Sequence, residues 1–120
     1  MTTANVLIID DDESIRTACA QTLSSAGFRV RAVDNGSCAL KQTHRESFDV
    51  VLANLRLPTL IDLLPWVRSH LPPKGCVVVS GVRESEWTVL TTRYADAGYR
   101  TVWHLGAAGW AGGLFGGPGI

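Results

Sequence analysis

Apolar residues occur along this chain in short runs that alternate with longer amphipathic stretches. Three of the runs, within NVLIID, DVVLAN and CVVVS, are continuous and rich in β-branched residues, and each ends in a polar residue. Runs of this length predict strands that are buried on both faces of a sheet. Two other segments, RVRAV and RTVWHL, mix apolar with polar residues and predict strands at the two edges of that sheet.

The stretches between the runs have the spacing of amphipathic helices. DDESIRTACAQTLSSAGF places its apolar residues on one helical face, with Asp12 or Ser14 as the N-cap. SCALKQTHRE predicts a short helix capped by Ser37, and ESEWTVLTTRYADAG predicts a longer one. LIDLLPWVRSHLPP is also helical, but its first proline is tolerated only in the first turn or at a kink.

Strands that alternate with helices indicate βαβ units, and therefore a doubly wound α/β fold with a parallel sheet. The sequence predicts five parallel strands in the order 2-1-3-4-5, the flavodoxin-like arrangement, within residues 1–104. Residues 105–120 hold no charged residue and are rich in glycine. We therefore expect an atypical or missing fifth helix, and a C-terminal tail that is disordered or packs over the surface left bare.

Composition narrows the classes of function. The chain has 11 basic and 11 acidic residues, and a net charge of zero argues against nucleic acid or an anionic membrane as a partner. Cys19, Cys38 and Cys76 show no CxxC spacing, which predicts neither a disulfide framework nor a zinc site. No secretion signal or apolar run of about 20 residues is visible, so we expect a cytoplasmic protein with no membrane partner.

Polar residues end the three buried strands. Asp10 and Asp11 follow the first, Asn54 ends the third and Ser80 ends the fourth. In a doubly wound sheet these strand ends meet in the crevice where the winding direction reverses, so the four residues converge on one predicted pocket. Plainer interpretations stay open: the two acids cap a helix, Asn54 is a turn residue, and Ser80 only terminates a strand.

Three motifs, VLIIDDDESIR, DVVLANLRLP and VVVSG, occur in the order found in one protein family. Over residues 5–104 the sequence resembles the receiver domain of bacterial two-component response regulators. The resemblance implies that Asp10, Asp11 and the backbone carbonyl of Arg56 lie at a magnesium site. It also implies that position 54 is that of the phosphoacceptor aspartate and that Ser80 is the switch hydroxyl.

Three features depart from the family pattern. The acceptor position holds Asn54, and an amide is a poor nucleophile that yields no stable acyl phosphate. No lysine follows Ser80, so the family's strand-five lysine is absent, and His104 is the candidate replacement. The tail stands in place of the fifth helix. We therefore expect a non-enzymatic pseudo-receiver that works without phosphorylation, requires no cofactor and binds Mg²⁺ weakly or not at all.

The resemblance implies that the partner is a histidine kinase, a phosphotransfer protein or another regulator. Trp87, Tyr94 and Trp103 are the candidate residues of a partner face, and the bare surface near the tail suggests a homodimer. Two alternatives stay open. One is an ordinary phosphoacceptor seen as an Asp-to-Asn variant at position 54, natural or engineered. The other is a small nucleotide- or flavin-binding protein, although DDDES stands where a glycine-rich phosphate loop is required.

Overall fold

The computed structural model describes residues 3–35 and 46–120. The strands within these ranges are β1 (Asn5–Asp10), β2 (Arg29–Val33), β3 (Val50–Asn54), β4 (Cys76–Arg83), β5 (Arg100–Ala107) and β6 (Trp110–Gly116). The helices are α1 (Glu13–Ser25), α2 (Leu57–Asp62), α3 (Leu64–His70) and α4 (Trp87–Asp96), and a 3₁₀ turn (Glu84–Glu86) precedes α4. The helix predicted from Ser37 lies outside the described residues, as does Cys38.

All of these strands belong to one sheet, in the order β2-β1-β3-β4-β6-β5. The first four strands are parallel and have the predicted order, and β2 and β5 lie at the two edges as predicted. The doubly wound α/β class is therefore confirmed. The predicted count of five strands and the direct pairing of the fourth with the fifth are wrong, because β6 lies between β4 and β5 and runs antiparallel to both.

β6 comes from the glycine-rich segment that was expected to be a tail. A two-residue turn joins it to β5, with Ala108 at φ 54° and Gly109 at φ 84°, the backbone that tight hairpins favour. The boundary predicted at residue 105 thus falls inside β5, and the segment to residue 116 is part of the sheet. In the part of the chain described, the strand replaces the fifth helix, in agreement with the expectation that this helix is missing.

The hydrophobic core lies on one face of the sheet. Alternate strand residues such as Leu7, Val51 and Val77 are fully buried there against α2, α3 and α4. The last strand contributes Phe115, which is fully buried and stacks on Trp87 and Tyr94 of α4. This packing explains why a segment so rich in glycine is ordered: one aromatic anchor in the core is worth roughly 3–5 kcal/mol on truncation.

Local sequence accounts for the helix ends. The Asp12 side chain caps α1 by accepting the backbone N–H of Ile15 at 3.0 Å, as predicted. Pro58 and Pro65 occupy the first turns of α2 and α3, where a proline removes no intrahelical hydrogen bond, so one predicted helix becomes two short ones. None of the described helices combines the length and apolar composition needed to cross a bilayer.

Candidate functional site

The carboxyl ends of β1, β3 and β4 bring three polar side chains into one row. Asp10 is the register partner of Asn54, and Asn54 is the register partner of Ser80. Adjacent strands lie about 4.8 Å apart, so side chains in one row reach each other directly. The predicted convergence of these three residues, which come from widely separated parts of the sequence, is present in the structure.

The three side chains form a chain of hydrogen bonds. The Asn54 Nδ2 donates to Asp10 Oδ2 at 3.2 Å, and the Ser80 hydroxyl donates to Asn54 Oδ1 at 3.2 Å. An ionised carboxylate only accepts hydrogen bonds, so the NH₂ group of the amide must face Asp10 and its oxygen must face Ser80. The network therefore fixes the orientation of the amide.

Asp10 and Asp11 have different environments. Asp10 is only 3 % exposed, its Oδ1 accepts the backbone N–H of Asp12 at 2.9 Å, and its carbonyl accepts from Arg16. Both carboxylate oxygens of Asp10 are thus engaged by N–H donors. Asp11 is exposed, and it lines a cleft that opens beside the network. Only one of the two predicted acids belongs to the hydrogen-bonded network.

These residues fit a magnesium ion poorly. Mg²⁺ requires oxygen ligands in near-octahedral geometry, yet the Asn54 NH₂ group is directed at the Asp10 oxygen that would have to bind the metal. The carbonyl of Arg56 accepts the N–H of Leu60 and so begins α2. Among the described residues, no three His, Cys, Asp or Glu side chains are grouped so that they could hold a metal.

Gly81 makes room for the amide. It has φ +90°, and a Cβ built on it would lie 2.6 Å from Asn54 Oδ1. Real Cβ atoms do not approach an oxygen this closely, and φ near +90° is itself unfavourable for any residue with a side chain. The glycine after Ser80 in VVVSG was the available signal for this role, which was not predicted from the sequence.

A cleft of about 640 Å³ opens beside the network, at the same edge of the sheet. Asp11, Asp34 and Glu86 contribute acid groups to its wall, while Arg56 and Arg83 contribute basic ones. Its remaining lining residues include Asn54, Gly81 and Trp110. The cleft has a volume in the range of small-molecule sites, and its wall carries groups of both charges.

Trp110 is a lining residue that the sequence did not reveal, because it was expected to belong to a tail. It is 50 % exposed, and the guanidinium of Arg83 lies 5.0 Å from the centroid of its ring, a cation–π contact. Arg83 and Trp110 are also register partners on β4 and β6. The hairpin thus contributes to the wall of the cleft as well as to the sheet.

His104 does not replace the missing lysine. It lies on β5, one strand beyond β6, and its ring stacks on Trp87 with 5.6 Å between centroids. It is absent from the residues that line the cleft. The prediction failed because it assumed that strand five lies next to strand four, whereas β6 separates them.

The predicted partner face is only partly exposed. Tyr94 is fully buried, and its hydroxyl donates to the carbonyl of Leu60 at 3.0 Å, so its assignment to a surface was wrong. Trp87 is partly buried against the core, and Trp103 is 50 % exposed. Helical spacing alone does not distinguish an inward tyrosine from an outward one.

Comparison with known proteins places the chain in a family. The family model described as response regulator receiver domain matches residues 6–100. The transcriptional regulator NtrC of Rhizobium meliloti is 34 % identical over 82 residues, which cover 67 % of this chain and 17 % of that protein. The structure of the chemotaxis response regulator CheY4 of Vibrio cholerae is 35 % identical, with a TM-score of 0.51, over 56 % of this chain and 57 % of that one.

A second group of proteins is also similar. The ribosomal protein L11 methyltransferase of Brucella suis is 32 % identical over 63 residues, 52 % of this chain and 22 % of that protein. A ribosomal protein L11 methylase structure from Lactobacillus delbrueckii subsp. bulgaricus superposes with a TM-score of 0.70 over 98 % of this chain and 71 % of that one, at 18 % identity. The latter shows a shared fold. The chain spans about a fifth of the length of its curated relatives.

Proposed function

We propose that this chain, which belongs to the response regulator receiver family, is a signalling module that accepts no phosphoryl group at position 54. It acts through protein contacts in one resting conformation. Its partner is a histidine kinase, a phosphotransfer protein or another regulator in the cytoplasm. The proposal depends on the chemistry of Asn54 and on the hydrogen bonds that hold it.

The carrying observation is the bond from Asn54 Nδ2 to Asp10 Oδ2. A phosphoacceptor at this position must offer a carboxylate oxygen that attacks phosphorus to form an acyl phosphate and is released again when that acyl phosphate is hydrolysed. The amide oxygen is a poor nucleophile, and the nitrogen lone pair is delocalised into the carbonyl. Its oxygen is already bonded to Ser80. The atoms that would have to react are therefore both poor nucleophiles and internally satisfied.

Electrostatics supports a resting state that is independent of a cation. With a carboxylate at position 54, two negative oxygens would stand about 3.2 Å from each other, the present distance between Asn54 Nδ2 and Asp10 Oδ2. At an effective dielectric of about 20, this repulsion is on the order of 5 kcal/mol before screening. The amide replaces that repulsion with a hydrogen bond, so the pocket needs neither Mg²⁺ nor a lysine to be stable.

The test is phosphorylation by a small-molecule donor such as acetyl phosphate with Mg²⁺, followed by intact-mass spectrometry. We expect no adduct on the natural chain, and an Asn54→Ala chain serves as the matched blank. A base-labile phosphoryl adduct at position 54 on the natural chain would contradict the proposal.

The substitution Asn54→Asp separates this proposal from the ordinary phosphoacceptor seen as a variant. If the rest of the site is degenerate, the Asn54→Asp chain stays unmodified and is less stable without a divalent cation. If the site is otherwise intact, the same chain becomes phosphorylated in a Mg²⁺-dependent reaction. That second result would favour an ordinary receiver and reject the pseudo-receiver.

A second candidate, methyl transfer or the binding of a methyl donor, is favoured by two observations. The L11 methylase structure superposes on 98 % of the chain, which requires that the β5–β6 hairpin be included, and the cleft is large enough for a nucleoside. Against it, the loop after β1 is acidic, whereas phosphate and nucleotide cradles at this position are rich in glycine.

Titration with S-adenosylmethionine, monitored by amide NMR shifts, tests this second candidate. Asp34 lies at the end of the second strand and lines the cleft, a position where acidic residues bind ribose hydroxyls in doubly wound folds. Saturable shifts that are lost in Asp34→Ala would favour the methyl-donor site. We expect no saturable shifts, in keeping with the signalling role.

A further inference from the structure

The two faces of the sheet are covered unequally. The core face carries α2, α3 and α4, whereas on the other side of the sheet α1 packs mainly against β1 and β2. We call the part of that other face formed by β3, β4, β6 and β5 the open face. Parallel strands normally have helices on both faces, so it is unusual that no helix among the described residues packs extensively over this face of β3 and β4.

A row of apolar side chains crosses the open face. Leu52 of β3 is the register partner of Val78, Val78 is the partner of Leu114, and Leu114 is the partner of Trp103. Their neighbours in the strands, such as Val51, Val77 and Phe115, are fully buried on the core face. In contrast, the residues of the row are more exposed: Leu52, Val78 and Leu114 are half-buried, and Trp103 is 50 % exposed.

Exposed apolar residues extend this row towards the hairpin. Leu105 is 66 % exposed and Trp110 is 50 % exposed, and both follow the same alternation as Trp103 and Leu114. Arg83 stacks on Trp110 at the hairpin end, and the row itself, as the structure describes it, contains no charged side chain. Contiguous apolar patches of this kind mark interaction surfaces.

α1, the helix on the same side of the sheet, also has an apolar side that is exposed. No residue of α1 is buried, although its sequence is amphipathic, and Ile15 is 47 % exposed. The predicted apolar face of α1 therefore contacts β1 and β2 with part of its surface and leaves the rest uncovered. Each chain thus offers both a bare sheet half and a helix flank that lacks a partner.

We propose that a second copy of this chain covers the open face, related to the first by a two-fold axis, with α1 of each copy packed over the row of the other. A two-fold contact must be self-complementary, and the bare sheet half and the helix flank satisfy that condition within a single chain. The net charge of zero adds no long-range repulsion between copies.

The available area is adequate for such a dimer. The exposed parts of the tryptophans, leucines and isoleucine named above amount to on the order of 500 Å² of apolar surface per copy. Specific dimers bury about 800 Å² per partner, of which somewhat more than half is apolar. This inference rests on packing alone and holds whether or not Asn54 accepts a phosphoryl group.

The test compares chains by sedimentation velocity over a range of concentrations up to about 100 μM, where contacts of this size are populated. We expect the natural chain to form a dimer. Trp103→Glu with Leu105→Glu, and separately Ile15→Glu, place a carboxylate in the apolar contact and should each raise the dimer dissociation constant at least about 100-fold. All three sites are substantially exposed, so the single chain should keep its fold, which circular dichroism verifies.

Val89→Glu is the matched control. Val89 is 48 % exposed on α4, on the opposite side of the sheet, so the added charge and the lost apolar area are similar. We expect this chain to dimerise like the natural one. A natural chain that stays monomeric would overturn the proposal, because the open face would then belong to another partner. A dimer that survives both α1 and β5 substitutions, or that only Val89→Glu disrupts, would overturn it as well.

Discussion

The side-chain amide of Asn54 is held in one orientation by Asp10, Ser80 and Gly81. Asp10 accepts a hydrogen bond from the amide NH₂ group, the Ser80 hydroxyl donates to the amide oxygen, and Gly81 leaves the space in which that oxygen lies. We therefore expect a substitution at any of these positions to change the orientation of the Asn54 amide.

Substitution of Gly81 by Ala should show this sensitivity. The new Cβ would stand 2.6 Å from Asn54 Oδ1 at a backbone φ of +90°, so both a clash and strain result. We expect the free energy of unfolding to fall by about 3 kcal/mol, as measured by urea denaturation.

Gly109→Ala provides the comparison for Gly81→Ala. Gly109 has φ +84°, and a Cβ added there would meet nothing within 4 Å, so only the backbone strain applies. Its expected cost is about 1 kcal/mol. If the two substitutions lowered the free energy of unfolding equally, the contact between residue 81 and Asn54 would contribute nothing to the loss of stability.

Tyr94 should make the protein less stable in alkali. Burial, and secondarily the neighbouring Tyr99, raise the pKa of Tyr94 well above its ordinary value of 10.0. Above pH 10 the unfolded chain loses this proton while the native chain keeps it. The stability that Tyr94 contributes by keeping its proton is therefore fully present below pH 10. Above pH 10 the free energy of unfolding falls by about 1.4 kcal/mol per pH unit.

Urea denaturation from pH 8 to about pH 11.5 measures this slope. A Tyr94→Phe chain should lose about 1 kcal/mol at neutral pH, because the Leu60 carbonyl loses its donor. Its stability should then depend less on pH in the alkaline range. An unchanged alkaline slope in this chain would assign the effect to other groups.

The sequence predicted the polar part of the site better than its surroundings. Asp10, Asn54 and Ser80 each end an apolar run, and the rule that parallel strand ends meet was enough to bring them together. Trp110 escaped prediction because its role depends on which strand lies beside β4, which no local pattern determines. Gly81 acts on Asn54 of β3, and its signal was the glycine that follows Ser80 in the sequence. His104 was misassigned for the same reason.

At the scale of secondary structure, β6 is the element that changes the molecule most. Its inward residues are Ala111, Gly113 and Phe115, so a strand with little side-chain volume still anchors one large ring in the core. A Cβ on Gly113 would lie 2.8 Å from the Trp87 ring, which explains why glycine is needed where α4 crosses the strand. β6 can pack closely against α4 because its glycines have no side chains.

Phe115→Ala should therefore cost about 3–5 kcal/mol of unfolding free energy. Phe115 is fully buried and contacts both Trp87 and Tyr94, so the truncation leaves a cavity in the aromatic cluster. Thermal or urea unfolding measures the loss. Val102→Ala on the neighbouring strand, where the side chain is 48 % exposed, should cost less than about 1 kcal/mol.

The buried strands were predictable because their signal is local. VLII, VVLA and CVVV are apolar without interruption, a pattern typical of strands in the middle of a parallel sheet. The expected burial on both faces holds for β1, whereas β3 and β4 each have one face on the open face. WAGGLFG carries no comparable signal, since glycine is rare in strands and weakens them. Its strand forms because the tertiary environment, an unpaired edge on each side and an aromatic pocket, outweighs the intrinsic preference.

For the molecule as a whole, we expect that the chain must include the β5–β6 hairpin in order to fold. Removing residues 105–120 deletes β6 and the end of β5, and it leaves both the edge of β4 and the Trp87–Tyr94 cluster uncovered. We expect a chain that ends at residue 104 to lack the dispersed amide NMR spectrum of a folded protein.

A chain that ends at residue 116 is the control for this truncation. It keeps every strand described above and loses only the contacts of the last four residues, among them the bonds from the N–H groups of Gly117 and Gly119 to the carbonyls of Gly75 and Pro73. We expect it to fold with modestly reduced stability. A well-dispersed spectrum from the chain ending at residue 104 would show that the hairpin is dispensable.

The place of β6 in the sheet also dictates an order of events during synthesis. β5 is made before β6, yet β6 must lie between β4 and β5, so β5 has no place in the sheet until residues 110–116 have been synthesised. During that interval the nascent polypeptide exposes the unpaired edge of β4 to chaperones and to other nascent chains. A pause in translation between β5 and β6 would prolong the exposure, and chaperones would then bind an incomplete sheet.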